Sequence, residues 1–261
     1  MLRQRILSAL VLAPPALAAV WFGAWPYVAL IALATGLLGW EWSRLCLGRF
    51  ERGGMILAGL AVLAALLAAW EPLAGLAVVL LAAGVAPRLQ TVADRSVGWL
   101  AFGAVYVGFP AVSLVWIREG QRETLLWLLL LIWATDIGAY AAGRTIGGPK
   151  LLPSVSPKKT WAGLLGGMAS AAVVGAATAG LMGEQGPSSL VLAGASALLA
   201  VVAQAGDLGE SWVKRRFGVK DSSSIIPGHG GVLDRLDGLL ATAPVVAILC
   251  LAFGGGLTQW R

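Results

Sequence analysis

The chain alternates between long apolar runs and short polar segments, with the runs at 6–22, 25–41, 54–70, 72–87, 97–117, 124–144, 161–182, 188–207 and 236–256. A membrane-spanning helix needs about 20 mostly apolar residues, within a range of about 17 to 25. The pattern therefore predicts an all-α polytopic integral membrane protein of about nine transmembrane helices. The runs on either side of Glu71 read as two spans or as one re-entrant hairpin. The opening M-L-R-Q-R has the form of a secretory signal, but its apolar run continues past Pro14 and Pro15 into Trp21 and Phe22. Without a small-x-small exit it reads as a retained first helix, kinked at the prolines.

Composition strengthens this reading. Hydrophobic residues make up 58% of the chain and charged residues 12%, about half the charge of a soluble domain, for which ~25% is usual. Mean hydropathy is +0.82. A soluble fold this apolar has nothing to cover its surface. The two cysteines, Cys46 and Cys250, lie far apart at or in apolar runs, which suggests neither a disulfide framework nor a thiolate metal site.

The net charge is +6, and its placement decides what it means. With the N-terminus cytoplasmic and loops assigned alternately, the inner segments hold Arg3, Arg5, Arg44, Arg49, Arg52, Arg88, Arg95, Arg144, Lys150, Lys158 and Lys159. They also hold Lys214, Arg215, Arg216, Lys220 and Arg235, leaving only Arg118, Arg122 and Arg261 outside. That asymmetry follows the positive-inside rule and was not imposed by hydropathy. The basic excess is thus a membrane-orientation signal that also meets anionic headgroups, and no nucleic-acid partner is expected.

Two inner loops, 145–160 and 208–235, differ from the rest. All five lysines fall in them, together with dense Ser, Gly and Pro, and long loops of this kind carry function. By contrast, Gly163-x-x-x-Gly167 in the seventh run reads as close helix packing in lipid.

Carboxylates collect near the same face. Asp136 lies eight residues before Arg144, ~12 Å below the interface at 1.5 Å per residue. Such a charge costs ~2.5–3.5 kcal/mol at a span's centre, so it marks either a function or a helix-pairing contact. Asp207 ends the eighth run with Glu210 at i+3, a functional pair or a helix reaching water. Asp234 and Asp237 open the ninth run, as metal ligands or as an N-terminal cap. Carboxylate oxygens beside lysine-rich loops describe a Mg2+ and phosphate site rather than a zinc site. His229, the single histidine, suits a polar contact to nucleotide or phosphate, or a turn.

The stretch from Ser211 to Asp237 resembles the signature of the phosphatidate cytidylyltransferases. The matching positions are Ser211, Lys214, Arg215, Lys220, Asp221, Ser223, His229, Gly230, Gly231, Asp234, Arg235 and Asp237. The D-x-G-A-Y-x-x-G-R run from Asp136 to Arg144, the S-P-K-K-T run from Ser156 to Thr160, and Gly206-Asp207 are similar to the same family. Residues 1–120 match it only as apolar helices.

The resemblance implies transfer of the cytidylyl group of CTP to phosphatidic acid; the loop topology puts the polar site on the cytoplasmic side, and the short loops with alanine- and arginine-rich composition suggest a bacterial cytoplasmic membrane. The resemblance implies Asp207, Asp234 and Asp237 as main metal ligands, with Asp136, Asp221 and Glu210 as further candidates. Mg2+ is the expected cofactor, with a second cation left open. Lys158, Lys159, Lys214, Arg215 and Lys220 are the implied phosphate contacts, and Arg144, Ser211, Ser223, His229 and Arg235 complete the substrate set. Residues 1–120 then form N-terminal transmembrane helices and 121–261 the catalytic region. A homodimer is left open. Alternative readings are a CTP-dependent lipid-alcohol kinase, which needs a base for its neutral nucleophile, and an anion transporter, which the absence of paired repeats disfavours.

Overall fold

A computed structural model describes residues 2–90 and 98–260, with side chains from residue 10 onward. Arg95, Arg261 and the side chains of Arg3 and Arg5 lie outside the described part.

Nine α-helices occur among the described residues: α1 Leu2–Phe22, α2 Ala24–Leu47, α3 Arg52–Leu67, α4 Pro72–Val85, α5 Gly98–Gly120, α6 Arg122–Thr145, α7 Trp161–Met182, α8 Ser189–Arg216 and α9 Leu233–Ala252. Six segments, Pro72–Leu89, Gly98–Gly120, Arg122–Thr145, Trp161–Gln185, Ser189–Arg216 and Leu233–Gln259, are long and apolar enough to cross a membrane. Leu80, Ile137, Leu165, Leu181, Leu190 and Leu251 are exposed along them, as lipid-facing side chains are. This is the composition of an all-α multi-pass membrane protein. The count of nine spans is not reached by this criterion; α1 and α3 contribute only shorter apolar stretches.

Two departures from the sequence expectation concern the loops. The 145–160 segment contains an antiparallel hairpin, β1 Lys150–Leu152 with β2 Ser156–Thr160, in which Lys150 faces Thr160. The eighth helix does not stop at 207 but continues to Arg216. Its last turns are polar, yet Leu, Glu, Lys and Arg are good helix formers. An i,i+4 pair between Glu210 and Lys214 at 2.6 Å holds them.

The chain divides into two compact units, one of residues 1–119 and 216–236, the other of 120–215 and 237–261. In the first, Val28, Ala64, Ala68, Val79, Val112 and Val115 form a buried cluster. Trp42 lies against Phe102 and Tyr106 and donates its indole N–H to the Trp99 carbonyl at 2.8 Å. Glu71 begins α4 by accepting from the Leu73 N–H. α2 ends at Gly48, whose φ of +71° gives the left-handed cap that glycine favours.

In the second unit, small residues set the spacing of the helices. A side-chain carbon at Gly138 would run into Ser170, one at Gly166 into Ala142, and one at Gly167 into the Thr135 carbonyl. α6 and α7 therefore pack backbone to backbone, as the Gly163-x-x-x-Gly167 spacing suggests. Gly175 admits Ser196 and the Leu192 carbonyl of α8 in the same way. Trp127 donates to the Ser196 hydroxyl at 3.0 Å and closes the bundle.

Candidate functional site

Three helices and the hairpin of the second unit enclose a cavity of about 590 Å3. α6 contributes Asp136, Tyr140 and Arg144, β2 contributes Lys158 and Lys159, and α8 contributes Gln204 and Asp207. Gly143 and Gly163 line it too, on helices that approach closely because both positions lack a side chain. Thr160 fixes the start of α7 by accepting from the Gly163 N–H at 3.0 Å. The Trp161 N–H donates to the Pro149 carbonyl at 3.0 Å and ties the hairpin down. The Arg144 guanidinium donates to the Tyr140 hydroxyl at 2.6 Å. The volume lies within the ~300–1,000 Å3 of small-molecule sites. Its cations stand on a helix, on a strand and beside a helix N-terminus, an arrangement suited to phosphate groups.

Asp207 joins this cavity to a group of carboxylates. Asp207, Glu210 and Asp237 each offer an oxygen within 4.8 Å of the others. Gly206 makes the meeting geometrically feasible: a side chain there would strike Ala241 and the Asp237 carbonyl, so its absence lets the α8 and α9 backbones approach. Lys159 Nζ lies 2.6 Å from Asp207 Oδ2, and Lys214 Nζ lies 2.6 Å from Glu210 Oε2. Ser211 Oγ is 3.4 Å from Asp207 Oδ1, and the Gly238 N–H donates to Asp237 Oδ1 at 2.7 Å.

This donor set fits Mg2+. It is all carboxylate oxygen, with no thiolate or imidazole. Asp207, Glu210 and Asp237 are the residues that would hold it.

The remaining signature residues, Arg215 excepted, belong to the first unit and are organised differently. Asp234 Oδ2 accepts from the Ser222 N–H at 2.9 Å, the Ser222 hydroxyl at 3.0 Å and the Gly231 N–H at 2.8 Å. The His-Gly-Gly turn is held by a bridge between Ile226 and Gly230, and Gly230 has a φ of +88°, a conformation suited to glycine. The His229 N–H donates to the Ile226 carbonyl at 2.9 Å. Lys220, Asp221 and Arg235 are exposed, as is Arg215 at the end of α8, and Ser223 is half-buried.

Ser223 leads to a residue that the motifs did not indicate. Glu41 of α2 is fully buried, and its carboxylate accepts from the Ser223 hydroxyl at 2.6 Å, the Val232 N–H at 2.9 Å and the Leu233 N–H at 2.7 Å. The available signal was a lone acid at the end of the second apolar run, an expensive group that needs partners.

Known proteins resemble this chain along most of its length. A model described as the cytidylyltransferase family matches residues 3–253. A phosphatidate cytidylyltransferase of Brucella suis is 41% identical over 264 residues, covering 97% of this chain and 94% of the relative. One from Pseudomonas aeruginosa is 41% identical over 271 residues, covering 98% and 99%. One from Rickettsia felis is 35% identical over 208 residues, covering 76% and 89%.

Proposed function

The chain belongs to the cytidylyltransferase family, and from that membership we propose that it is a phosphatidate cytidylyltransferase. It converts phosphatidic acid and CTP into CDP-diacylglycerol and pyrophosphate for phospholipid synthesis. The observation that carries the site assignment is the joining, through Asp207, of a three-carboxylate group to a cation-lined cavity.

The reaction forms one P–O bond and breaks another. A phosphate oxygen of phosphatidic acid attacks the α-phosphorus of CTP, and the bond to the β-phosphate oxygen breaks as pyrophosphate departs. The nucleophile is already anionic, so no side chain has to remove a proton. What the step needs is positioning and neutralisation of charge. Arg144, Lys158 and Lys159 bind phosphate oxygens in the cavity. Lys159 links that task to Asp207, with which it is paired. Lys214 balances the buried Glu210 and keeps that acid from carrying an uncompensated charge. When bound by Asp207, Glu210 and Asp237, Mg2+ supplies Lewis-acid stabilisation of the triphosphate. Asp136 borders the same cavity as a further candidate ligand.

In this reading Asp234 serves the reaction by ordering the signature loop through its three hydrogen bonds. Lys220, Asp221, His229 and Arg235 belong to that loop and to the start of α9, and Arg215 precedes it. The proposal also places the N-terminus and both polar loops on the cytoplasmic face of a bacterial inner membrane. Cysteines introduced at Ser154 and Ser224, with Cys46 and Cys250 removed, should label only from the cytoplasmic side of intact cells. Periplasmic labelling of either overturns that orientation.

The decisive assay supplies purified protein with CTP and phosphatidic acid and identifies the products. Cytidylyl transfer releases pyrophosphate, whereas release of CDP would assign a kinase.

A further inference from the structure

We propose that Glu41, on the second helix, is a positioning residue for cytidylyl transfer that braces the signature loop from the N-terminal part of the chain. The proposal rests on the reaction assigned above. Its evidence is a concentration of partners. Four groups reach the Glu41 carboxylate: the hydroxyls of Ser222 and Ser223 and the N–H groups of Val232 and Leu233. All four come from one segment of twelve residues, 222–233, more than 180 positions away in the chain.

Burial makes the arrangement exacting. Glu41 is 0% exposed, and a buried acid is tolerated only when hydrogen bonds satisfy its oxygens. Each oxygen receives one backbone N–H, Oε1 from Val232 and Oε2 from Leu233. The carboxylate thus spans the joint where the loop enters α9. Ser222 Oγ stands 3.2 Å from Glu41 Oε2 and 3.0 Å from Asp234 Oδ2. With one proton it donates to one of them at a time, so it couples the two acids. A side-chain carbon at Gly231 would collide with both the Ser222 hydroxyl and the Glu41 carboxylate. The acid, the serines and the loop amides together therefore clamp the two ends of the loop that carries His229.

A generic core role predicts only loss of stability. A positioning role predicts that turnover falls further than stability does and that the loop's amides lose protection. The test compares wild type, Glu41→Gln and Ser43→Ala. Ser43 is a buried polar residue on the same helix whose hydroxyl donates to the Arg49 carbonyl and not to the signature loop. The readouts are melting temperature, hydrogen exchange at the Val232 and Leu233 amides, and kcat and KM for CTP. Glutamine keeps the shape but turns one acceptor into a donor facing donors. We expect faster exchange at both amides and a kcat lower by about thirtyfold, the ~2 kcal/mol of a charge-assisted hydrogen bond. The melting temperature should match that of Ser43→Ala. If Glu41→Gln does not fold, Ser222→Ala leaves both backbone donors in place and carries the same test, with a kcat about threefold lower. Unchanged exchange with kcat within about twofold overturns the proposal; so does an equal kcat loss in Ser43→Ala. A wild type that makes no CDP-diacylglycerol sinks the reaction assignment instead, and the exchange data still decide whether Glu41 holds the loop.

Discussion

In the unit of residues 120–215 and 237–261, Asp207 and Glu210 are paired with lysines and lie close to Asp237; in the unit of 1–119 and 216–236, Glu41 and Asp234 accept from backbone amides and serine hydroxyls. Asp207 and Glu210 are paired with Lys159 and Lys214, flexible cations that can exchange partners. Glu41 and Asp234 accept from Ser222, Gly231, Val232 and Leu233, groups fixed by the chain itself. The partners of an acid separate two tasks that its residue type does not. Acids set against mobile cations can take up a metal and release charge to a phosphate, while acids saturated by the backbone hold a loop in shape.

The sharpest way to break this comparison is to remove the metal and its proposed ligands. Excess EDTA should abolish turnover, and Asp237→Asn or Asp207→Asn should cut kcat about a hundredfold, ~2.7 kcal/mol. Both variants should raise the Mg2+ concentration giving half-maximal rate. Full turnover in EDTA contradicts the metal assignment.

Asp234→Asn sharpens it further. Asparagine still offers one acceptor oxygen, so the expected loss is about tenfold. It should come with faster exchange at the Ser222 and Gly231 amides and no change in Mg2+ dependence. If Asp234→Asn shifts the Mg2+ requirement as Asp237→Asn does, both aspartates bind the ion and the division between the units fails.

Gly206→Ala probes how the α8 and α9 acids are brought together. The added carbon meets the Ala241 methyl and the Asp237 carbonyl, so overpacking should cost ~1–3 kcal/mol of stability. Melting temperature and kcat should fall together, by about tenfold in rate. A variant as stable and as active as wild type would show that the close approach is unnecessary.

Among the lysines the effects are smaller. Lys159→Arg keeps the charge but replaces a compact ammonium paired with Asp207 by a planar fork. It should raise KM for CTP or lower kcat by up to about tenfold, ~1.4 kcal/mol. Lys150 is exposed on β1 and absent from the cavity lining, so Lys150→Arg should be nearly silent. Equal behaviour of the two reduces the lysine clustering to a topology signal.

Much of the fold was legible because membrane helices announce themselves by length and apolarity. α7 was delimited correctly at 161–182, where a Thr160 cap and a glycine at 183 bound the run. The apolar run ends at Asp207 while α8 continues to Arg216, because its last turns are polar and hydropathy does not distinguish a helix emerging into water from a loop. The hairpin at 150–160 escaped notice since its strands are three and five residues long, too short for alternation to register.

The site divides along similar lines. Asp207 and Asp237 were legible as candidates from the family motifs, and Glu210 from its i+3 spacing to Asp207; the structure groups the three. Glu41 was not, because its partners lie at the far end of the sequence and only folding brings them near. Asp234 and Asp237, three residues apart with one apparent role, differ in their partners, which the sequence does not display.

The central claim is that this chain transfers a cytidylyl group through the carboxylates and cations gathered at Asp207. It is tested most directly by quantifying CDP-diacylglycerol and pyrophosphate from CTP and phosphatidic acid across a Mg2+ titration, for wild type and Asp237→Asn. Wild type should give equimolar products, none in EDTA, and Asp237→Asn a slow, Mg2+-shifted reaction. CDP in place of pyrophosphate, or an Asp237→Asn titration that overlays the wild type, would contradict it.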